Sequence, residues 1–207
     1  MKLSVKPGKL DKIHIFLDEE YAMTVDNTFW FSSEWYNKTE IDSEELAALQ
    51  TAVSSRRAFN AAVDLLSRRA HGSEELYKKL RQKFGDEPAR AAVEKAKALY
   101  LLDDEAFAEQ LAEELYERKH FAPRRIFSEL LRRGVNREIA QNAVESLDKD
   151  DKNRIIVLLQ GKYSASLQDE KGKRRAVNAL LRMGYSYGDI KAALAEVNSE
   201  TEEFFDA

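Results

Sequence analysis

The chain has 207 residues, enough for one large domain, two small ones or a short array of repeats. With only 8 Gly and 3 Pro, the composition favours long helices over a loop-rich fold. The absence of Cys excludes a disulfide framework and a thiolate metal site. With 34% charged residues and no apolar stretch long enough for secretion or a membrane span, we expect a cytoplasmic protein without a membrane partner.

The net charge of −4 conceals basic segments inside a mildly acidic chain. Residues 56–83 carry eight Lys or Arg against three Asp or Glu, residues 118–137 carry seven against one, and residues 171–191 carry six against one. The last twelve residues hold five acidic side chains and no basic one. This segregation indicates three positive surfaces and an acidic tail, rather than an evenly mixed surface.

The N-terminal residues 1–42 differ in pattern from the rest of the chain. Apolar side chains alternate at residues 13–17 and again at residues 21–25, which predicts two strands joined by a turn. A second turn signal at residues 26–27 precedes a predicted third strand at Thr28–Phe31. A β-meander this small is marginally stable alone, so we expect it to dock on another part of the chain.

From residue 43 the apolar residues recur at the i, i+3, i+4, i+7 spacing of amphipathic helices. The pattern predicts three modules of three helices, at residues 43–101, 102–148 and 149–197, followed by an acidic tail at residues 198–207. The predicted fold class is therefore mainly α, a tandem array of three three-helix modules preceded by a small antiparallel β-meander. In such an array each module contacts only its neighbours.

A leucine-rich stretch followed by glycine recurs once in each module, and the leucines are 50 residues apart. A period of this size indicates a repeated supersecondary unit. We expect the leucines to lie in the core and the glycines to form left-handed helix caps. These residues are Leu80, Leu130 and Leu180, and Gly85, Gly134 and Gly184.

Polar residues with short side chains mark the expected helix starts. Ser73, Asp103, Asn136 and Ser186 precede apolar-periodic stretches and are predicted N-caps. Pro123 suits the first turn of a helix, where its missing N–H has no helical partner.

The sequence offers little for catalysis. His14, His71 and His120 fall in a strand, a turn and a corner, without a second histidine or a carboxylate at metal-ligand spacing. Asp103 and Asp104 are explained by the predicted N-cap. We expect no enzyme, no cofactor and no metal site.

The basic residues beside the leucine–glycine stretches are the candidate binding residues. A basic face on a single amphipathic helix is usually only its solvated face, but recurrence in three modules favours a binding surface for phosphate or carboxylate groups. The candidates are Arg68, Arg69, Lys78, Lys79, Arg81, Lys83, Arg124, Arg125, Arg132, Arg133, Lys173, Arg174, Arg175 and Arg182.

The order of several short motifs over about residues 55–197 resembles the RecX family of RecA regulators. One departure is His120–Ala122, which stands where the family often has a glycine-containing corner. The matching motifs are Arg69–Leu76, Leu80, Leu102–Phe107, Pro123–Ile126, Glu129–Leu130, Gly134–Val135, Arg182–Tyr185 and Ile190.

This resemblance implies a bacterial protein of homologous recombination, DNA repair and the SOS response. Members lie in the groove of the RecA–single-stranded DNA filament and modulate, usually inhibit, strand exchange, coprotease activity and ATP hydrolysis by RecA. The implied partner is RecA in filament form, with single-stranded DNA contacted weakly or within the filament. We expect the chain itself to be a monomer.

The basic faces leave two other functions open. The chain could be a helical-repeat protein that binds DNA directly, with RecA incidental, or a helical scaffold for another acidic protein. Tight, salt-sensitive binding to bare DNA would indicate the first of these.

Overall fold

A computed structural model describes residues 1–148 and 150–205, with side chains described as far as Val197. The chain divides into two compact units, Met1–Leu102 and Asp103–Ala207. In the part of the chain that is described, every helix is too short or too polar to cross a membrane. The acidic side chains of the predicted tail, residues 198–207, lie outside the described part of the chain.

The first unit begins with a three-stranded antiparallel sheet in the order β1-β2-β3. The strands are β1 (Leu3–Pro7), β2 (Lys12–Leu17) and β3 (Glu20–Asp26). The two strands predicted at residues 13–17 and 21–25 are therefore present as β2 and β3.

The predicted third strand at Thr28–Phe31 is wrong, because this segment belongs to a short helix, α1 (Asn27–Ser32). The carboxylate of Asp26 accepts a hydrogen bond from the backbone N–H of Phe29 over 2.8 Å and so caps the helix. Three consecutive aromatic residues suggested a strand, but the N-cap determines the local backbone. The third strand of the sheet comes instead from β1.

One face of the sheet docks on the first part of α2 (Ser43–Arg68), as expected for so small a meander. Helix α2 starts at a capping box in which Asp42 and Glu45 satisfy each other's backbone N–H groups. The buried residues of this shared core are Leu3, Ile13, Ile15, Val25, Trp30, Trp35, Ile41, Leu49 and Val53.

The second part of α2 packs with α3 (Ser73–Phe84) and α4 (Asp86–Ala98) around a separate core. Leu76 and Leu80 point into that core and are almost fully buried. Gly72, and not Ser73, occupies the N-cap of α3, one residue before the predicted position.

The second unit contains two further sets of helices, each with its own buried cluster. Ala122, in the connection before α6, is buried in the cluster formed by the C-terminal helices. The predicted mainly α fold class is confirmed, whereas the residue bounds of the three modules stay predictions. The helices are α5 (Asp104–Glu117), α6 (Pro123–Arg132), α7 (Arg137–Glu145), α8 (Asp151–Gln160), α9 (Glu170–Arg182) and α10 (Tyr187–Phe205), with a 3-10 turn at Ser164–Gln168.

Gly134 and Gly184 end their helices as predicted, whereas Gly85, with a φ of +86° and a ψ of 178°, lies between α3 and α4 without the predicted left-handed helical cap. Gly134 has a φ of +86° and donates its N–H to the carbonyl of Leu131 over 2.9 Å, while Val135 donates to Leu130 over 3.1 Å. This is the left-handed cap that closes the last turn of α6. Gly184, with a φ of +96°, ends α9 through the same pattern of hydrogen bonds.

The predicted N-caps of the second unit are confirmed. Asp103 accepts hydrogen bonds from the first-turn N–H groups of α5, and Asn136 accepts one from α7. The hydroxyl of Ser186 accepts from the N–H of Asp189 at the start of α10 over 3.1 Å.

Candidate functional site

Three candidate residues of the first module, Arg68, Arg69 and Lys79, lie near the corner between α2 and α3 and pair with acidic side chains. Arg68, the last residue of α2, donates to Asp64 over 2.7 Å. Arg69 forms an ion pair with Glu75 of α3, and the Nζ of Lys79 lies 3.4 Å from the same carboxylate. The positive charge predicted for this corner is therefore partly neutralised inside the module.

Glu75 is the group that holds this corner together. Burial alone would raise the pKa of Glu75, but the hydrogen bond from Arg69 and the charges of Arg69 and Lys79 bring that pKa below its ordinary value. The carboxylate is thus ionised at neutral pH and links the end of α2 to the first turns of α3.

The other candidates on α3 have more exposed charges. Lys78 lies 3.3 Å from Glu74, a surface pair one helical turn apart. Lys83 lies 5.2 Å from the centroid of the Phe84 ring, and Arg81 is exposed on the last turn. Together these side chains form the positive surface of α3.

His71 is the buried polar residue of the first unit, with 3% of its surface exposed. Its Nδ1 lies 3.0 Å from the carbonyl oxygen of Arg69, and its Nε2 lies 3.0 Å from the Nζ of Lys79. Since the carbonyl can only accept and the ammonium can only donate, the ring is neutral with its proton on Nδ1. Burial lowers the pKa of His71, in agreement with this assignment.

In the second module, the arginines of α6 divide into two groups. Arg124 and Arg132 are exposed, and Arg132 forms an ion pair with Glu129 one turn earlier. Arg133, at the C-cap, is half-buried. Arg125 is also half-buried and has a different set of contacts.

Arg125 joins α6 to the end of α9. Its guanidinium donates to the backbone carbonyl of Arg182, and its Cζ lies 4.1 Å from the centroid of the Phe121 ring. A Cβ atom at Gly184 would lie 2.7 Å from the Cβ of Arg125, so only glycine permits this close approach. Arg125 and the carbonyl of Arg182 therefore belong to an internal contact, while the Arg182 side chain is exposed.

A second arginine, Arg154 of α8, was not among the sequence candidates. Its guanidinium carbon lies 3.7 Å from the centroid of the Tyr116 ring of α5, and it donates to the carbonyl of Tyr116 and to the carboxylate of Glu117. No local sequence pattern marks Arg154, because its partners lie on another helix well before it in the chain.

The hydroxyl of Tyr185, just after α9, donates to the carbonyl of His120 over 3.1 Å.

The remaining candidates lie on α9. Lys173 lies 3.2 Å from Glu170 in the first turn, whereas Arg174 and Arg175 are exposed. The start of α6 and the end of α9 are joined through Arg125, so the exposed arginines of both helices are carried by one connected set of helices.

The second unit carries exposed arginine side chains on α6 and α9. Exposed guanidinium groups on α6 and α9 can pair with phosphate or carboxylate groups. Among the side chains of residues 1–148 and 150–197, no group of three or more His, Asp or Glu comes together in a way that could hold a metal ion.

Comparison with known proteins agrees with this architecture. A family model described as the first three-helix domain of RecX matches residues 58–95, and a model of its second three-helix domain matches residues 103–144. The regulatory protein RecX of Caldanaerobacter subterraneus subsp. tengcongensis is 32% identical over 185 residues, which cover 89% of this chain and 90% of the relative. The chain belongs to the RecX family.

Other members of the RecX family support the assignment. The regulatory protein RecX of Bacillus subtilis is 27% identical over 98% of this chain and 78% of its own length. A crystal structure of regulatory protein RecX superimposes with a TM-score of 0.69, at 19% identity, over 92% of this chain and 98% of that one. A second RecX structure, from Lactobacillus salivarius, gives a TM-score of 0.59 over 70% of this chain and 97% of that one.

The corner at His120–Ala122 has a left-handed backbone at its first residue. His120 has a φ of +53°, a conformation that glycine adopts more easily than other residues. Next to it, the N–H of Ala122 donates to the carbonyl of Met183 over 2.9 Å. The corner thus keeps a backbone conformation that suits glycine, and it takes part in the contact between α6 and α9.

Proposed function

We propose that this chain regulates RecA by binding the RecA–single-stranded DNA filament through the basic faces of its helical modules, without a catalytic step. In this proposal it reduces strand exchange, ATP hydrolysis and coprotease activity of RecA. Two facts support it: the relatives are called regulatory proteins RecX, and basic side chains recur on the helices of the modules.

The observation that carries the proposal is the contact between Arg125 and the carbonyl of Arg182. By joining α6 to α9, this contact fixes the distance between two sets of exposed arginines. A partner with a regular spacing of anionic groups, such as a protein–DNA filament, can then engage both sets at once. Contacts that are individually weak add through effective concentration when their spacing matches the partner.

The test is DNA-dependent ATP hydrolysis by RecA on single-stranded DNA, with and without this protein. We expect wild-type protein to inhibit hydrolysis. The double variant Arg132→Glu/Arg133→Glu replaces two cations of α6 by anions and should raise the concentration needed for half-inhibition by about fivefold or more.

A matched control is the double variant Lys152→Glu/Lys162→Glu. Both lysines are exposed in the second unit, outside the three basic segments, and their reversal makes the same change in net charge. It should inhibit like the wild type. If the α6 variant keeps its helix content by circular dichroism and inhibits as well as the wild type, this face does not bind the filament.

The same protein samples distinguish direct DNA binding from filament binding when their affinities for bare DNA and for the filament are compared. If the chain acts as an independent DNA-binding protein, its affinity for bare DNA should match its affinity for the filament and fall steeply with salt. Filament binding that is much tighter than binding to bare DNA is the result expected from our proposal.

A further inference from the structure

The sheet of the first unit has a second face, which points away from the core. Alternation along β2 places Ile13 and Ile15 in the core and turns His14 and Phe16 to the other side. The register pairs Lys6 with His14 and His14 with Thr24 across the three strands. We call the residues Lys6, Lys12, His14, Phe16, Tyr21 and Thr24 the outer sheet face.

Three rings form a cluster on the outer sheet face. The centroid of the Tyr21 ring lies 6.0 Å from that of Phe16 and 6.2 Å from that of His14, with both pairs edge to face. A bulge after Ile15 shifts the register so that Phe16 lies opposite Tyr21. The sheet thus displays an aromatic cluster on the side opposite its packed core.

Hydrogen bonds fix the orientation of this cluster. The hydroxyl of Thr24 lies 2.7 Å from the Nδ1 of His14 and 2.9 Å from the hydroxyl of Tyr21. Tyr21 nevertheless has 61% of its surface exposed. An aromatic ring that is held in place and open to solvent loses little conformational entropy when a flat partner stacks on it.

Basic groups surround the rings. The Nζ of Lys6 lies 4.7 Å from the centroid of the Phe16 ring, and Lys12 is exposed on the same strand as His14 and Phe16. At the free edge of β3, Arg57 of α2 donates to the carbonyl of Thr24 over 2.8 Å. Lys6 and Lys12 on the outer sheet face, with Arg57 at the edge of the sheet, therefore suit phosphate groups.

The acidic groups near the outer sheet face limit where an anionic chain can run. Asp26, opposite Lys12, is paired with Arg56 over 3.4 Å and caps α1. Residues 18–20 place three acidic side chains at the turn between β2 and β3. An anionic chain is thus directed away from this turn, toward Lys6, Lys12 and Arg57.

We propose that the outer sheet face binds single-stranded nucleic acid. One or two bases stack on Tyr21 and Phe16, and neighbouring phosphates pair with Lys6, Lys12 and Arg57. A single strand is required because bases inside a duplex are already stacked and cannot present their faces to a sheet. The combination of fixed rings with basic groups favours nucleic acid over a protein partner. This proposal does not depend on RecA.

The test uses the full chain without RecA and measures fluorescence anisotropy of labelled oligothymidylate, oligouridylate and a DNA duplex. Wild-type protein should bind a single strand more tightly than the duplex, and the tighter of the two single strands identifies DNA or RNA as the natural ligand. Tyr21→Ala should weaken single-strand binding by about fivefold or more, since stacking on an aromatic side chain contributes strongly per base.

The matched control is Tyr36→Ala in the same unit. Tyr36 is 45% exposed and packs edge to face on Phe31, outside the outer sheet face, so its loss should leave binding unchanged. Lys6→Gln should lower the slope of log affinity against log salt by about 0.7, the value for one phosphate contact on a single strand. Thermal unfolding of each variant checks that the sheet is intact.

A second readout is photocrosslinking of an oligonucleotide that contains 5-iodouracil, with the attached peptide identified by mass spectrometry. A crosslink to Phe16 or Tyr21 supports stacking on this face. Equal binding by Tyr21→Ala and Tyr36→Ala, or crosslinks confined to the second unit, would overturn the proposal. So would a Tyr21→Ala protein that binds oligonucleotides normally but regulates RecA poorly, since the face would then bind protein.

Discussion

The guanidinium carbon of Arg154 lies 3.7 Å from the centre of the Tyr116 ring. The same guanidinium donates to the carbonyl of Tyr116 and to Glu117, and its side chain is only 20% exposed. One residue of α8 thus binds the ring, the backbone and the carboxylate at the end of α5. The attachment of α8 to α5 depends strongly on this arginine.

We predict that Arg154→Ala destabilises the folded chain by about 2–4 kcal/mol, because it removes a partly buried cation–π contact and charge-assisted hydrogen bonds together. Urea unfolding followed by circular dichroism measures the change. Lys152→Ala, two residues earlier on α8, is the control. Its ion pair with Glu196 is exposed, so its removal should change stability much less than Arg154→Ala does. Equal losses in the two variants would contradict this role for Arg154.

Gly184→Ala should destabilise the second unit by about 1–3 kcal/mol. The added Cβ would meet the Cβ of Arg125 at 2.7 Å, and the φ of +96° is strained for any other residue. Gly188→Ala is a control four residues later. It lies in the first turn of α10 with only the Ser186 hydroxyl near the added methyl, at 3.7 Å, so helix propensity makes it neutral or slightly stabilising. In urea unfolding, Gly184→Ala should lower the free energy of unfolding, whereas Gly188→Ala should leave it unchanged or raise it slightly.

Several helix ends could be predicted from the sequence because their signals are local. Caps such as Asp103 and Asn136, and the glycines at 134 and 184, act within a few residues of the helix ends that they set. Whether an arginine makes an internal contact or is exposed to solvent is not determined by its neighbours in the sequence. Arg125 meets a carbonyl 57 residues later in the chain, and nothing in its own helix distinguishes it from Arg124.

In the N-terminal segment, a local sequence signal predicted the wrong element. Thr28–Phe31 has the β-branched and aromatic composition of a strand, and intrinsic propensity favoured that interpretation. A single hydrogen bond from Phe29 to Asp26 caps a helix there instead. The strand that completes the sheet, β1, has the buried Leu3 and an exposed Val5, so its apolar alternation does not match its burial.

His71 should make the stability of the first unit depend on pH. Its neutral ring accepts a hydrogen bond from Lys79 and lies near Arg69 and Glu75, and burial lowers its pKa. A pKa lowered in the folded state means that the unfolded chain binds the proton more readily. Stability is therefore full above the unfolded pKa of about 6.5, and it is lost as the pH falls from there through the folded pKa.

Urea unfolding of wild type and of His71→Gln, compared from about pH 8 to pH 5.5, tests this linkage. The wild-type curve should lose up to about 1.4 kcal/mol per pH unit below pH 6.5 relative to the variant. Parallel curves would mean that His71 takes up its proton equally in both states.

Arg124 and Arg125 are neighbours in α6, but we predict that their removal has opposite consequences. Arg125→Ala breaks the hydrogen bond to the carbonyl of Arg182 and the contact with Phe121, and should cost about 1–3 kcal/mol of stability. Arg124 is exposed, so Arg124→Ala should change stability by less than about 0.5 kcal/mol. Under the proposed function, Arg124→Ala instead weakens inhibition of RecA ATP hydrolysis.

The two measurements on these two variants separate structural from binding arginines. Urea unfolding should rank Arg125→Ala as the less stable protein, and the RecA assay at a temperature where both are folded should show the direct loss in Arg124→Ala. A stable Arg125→Ala would mean that the contact with the carbonyl of Arg182 contributes little. The joined arrangement of α6 and α9 would then require another cause, and the backbone bond from Ala122 to Met183 and the hydrogen bond from Tyr185 to the carbonyl of His120 are the other links described at that corner.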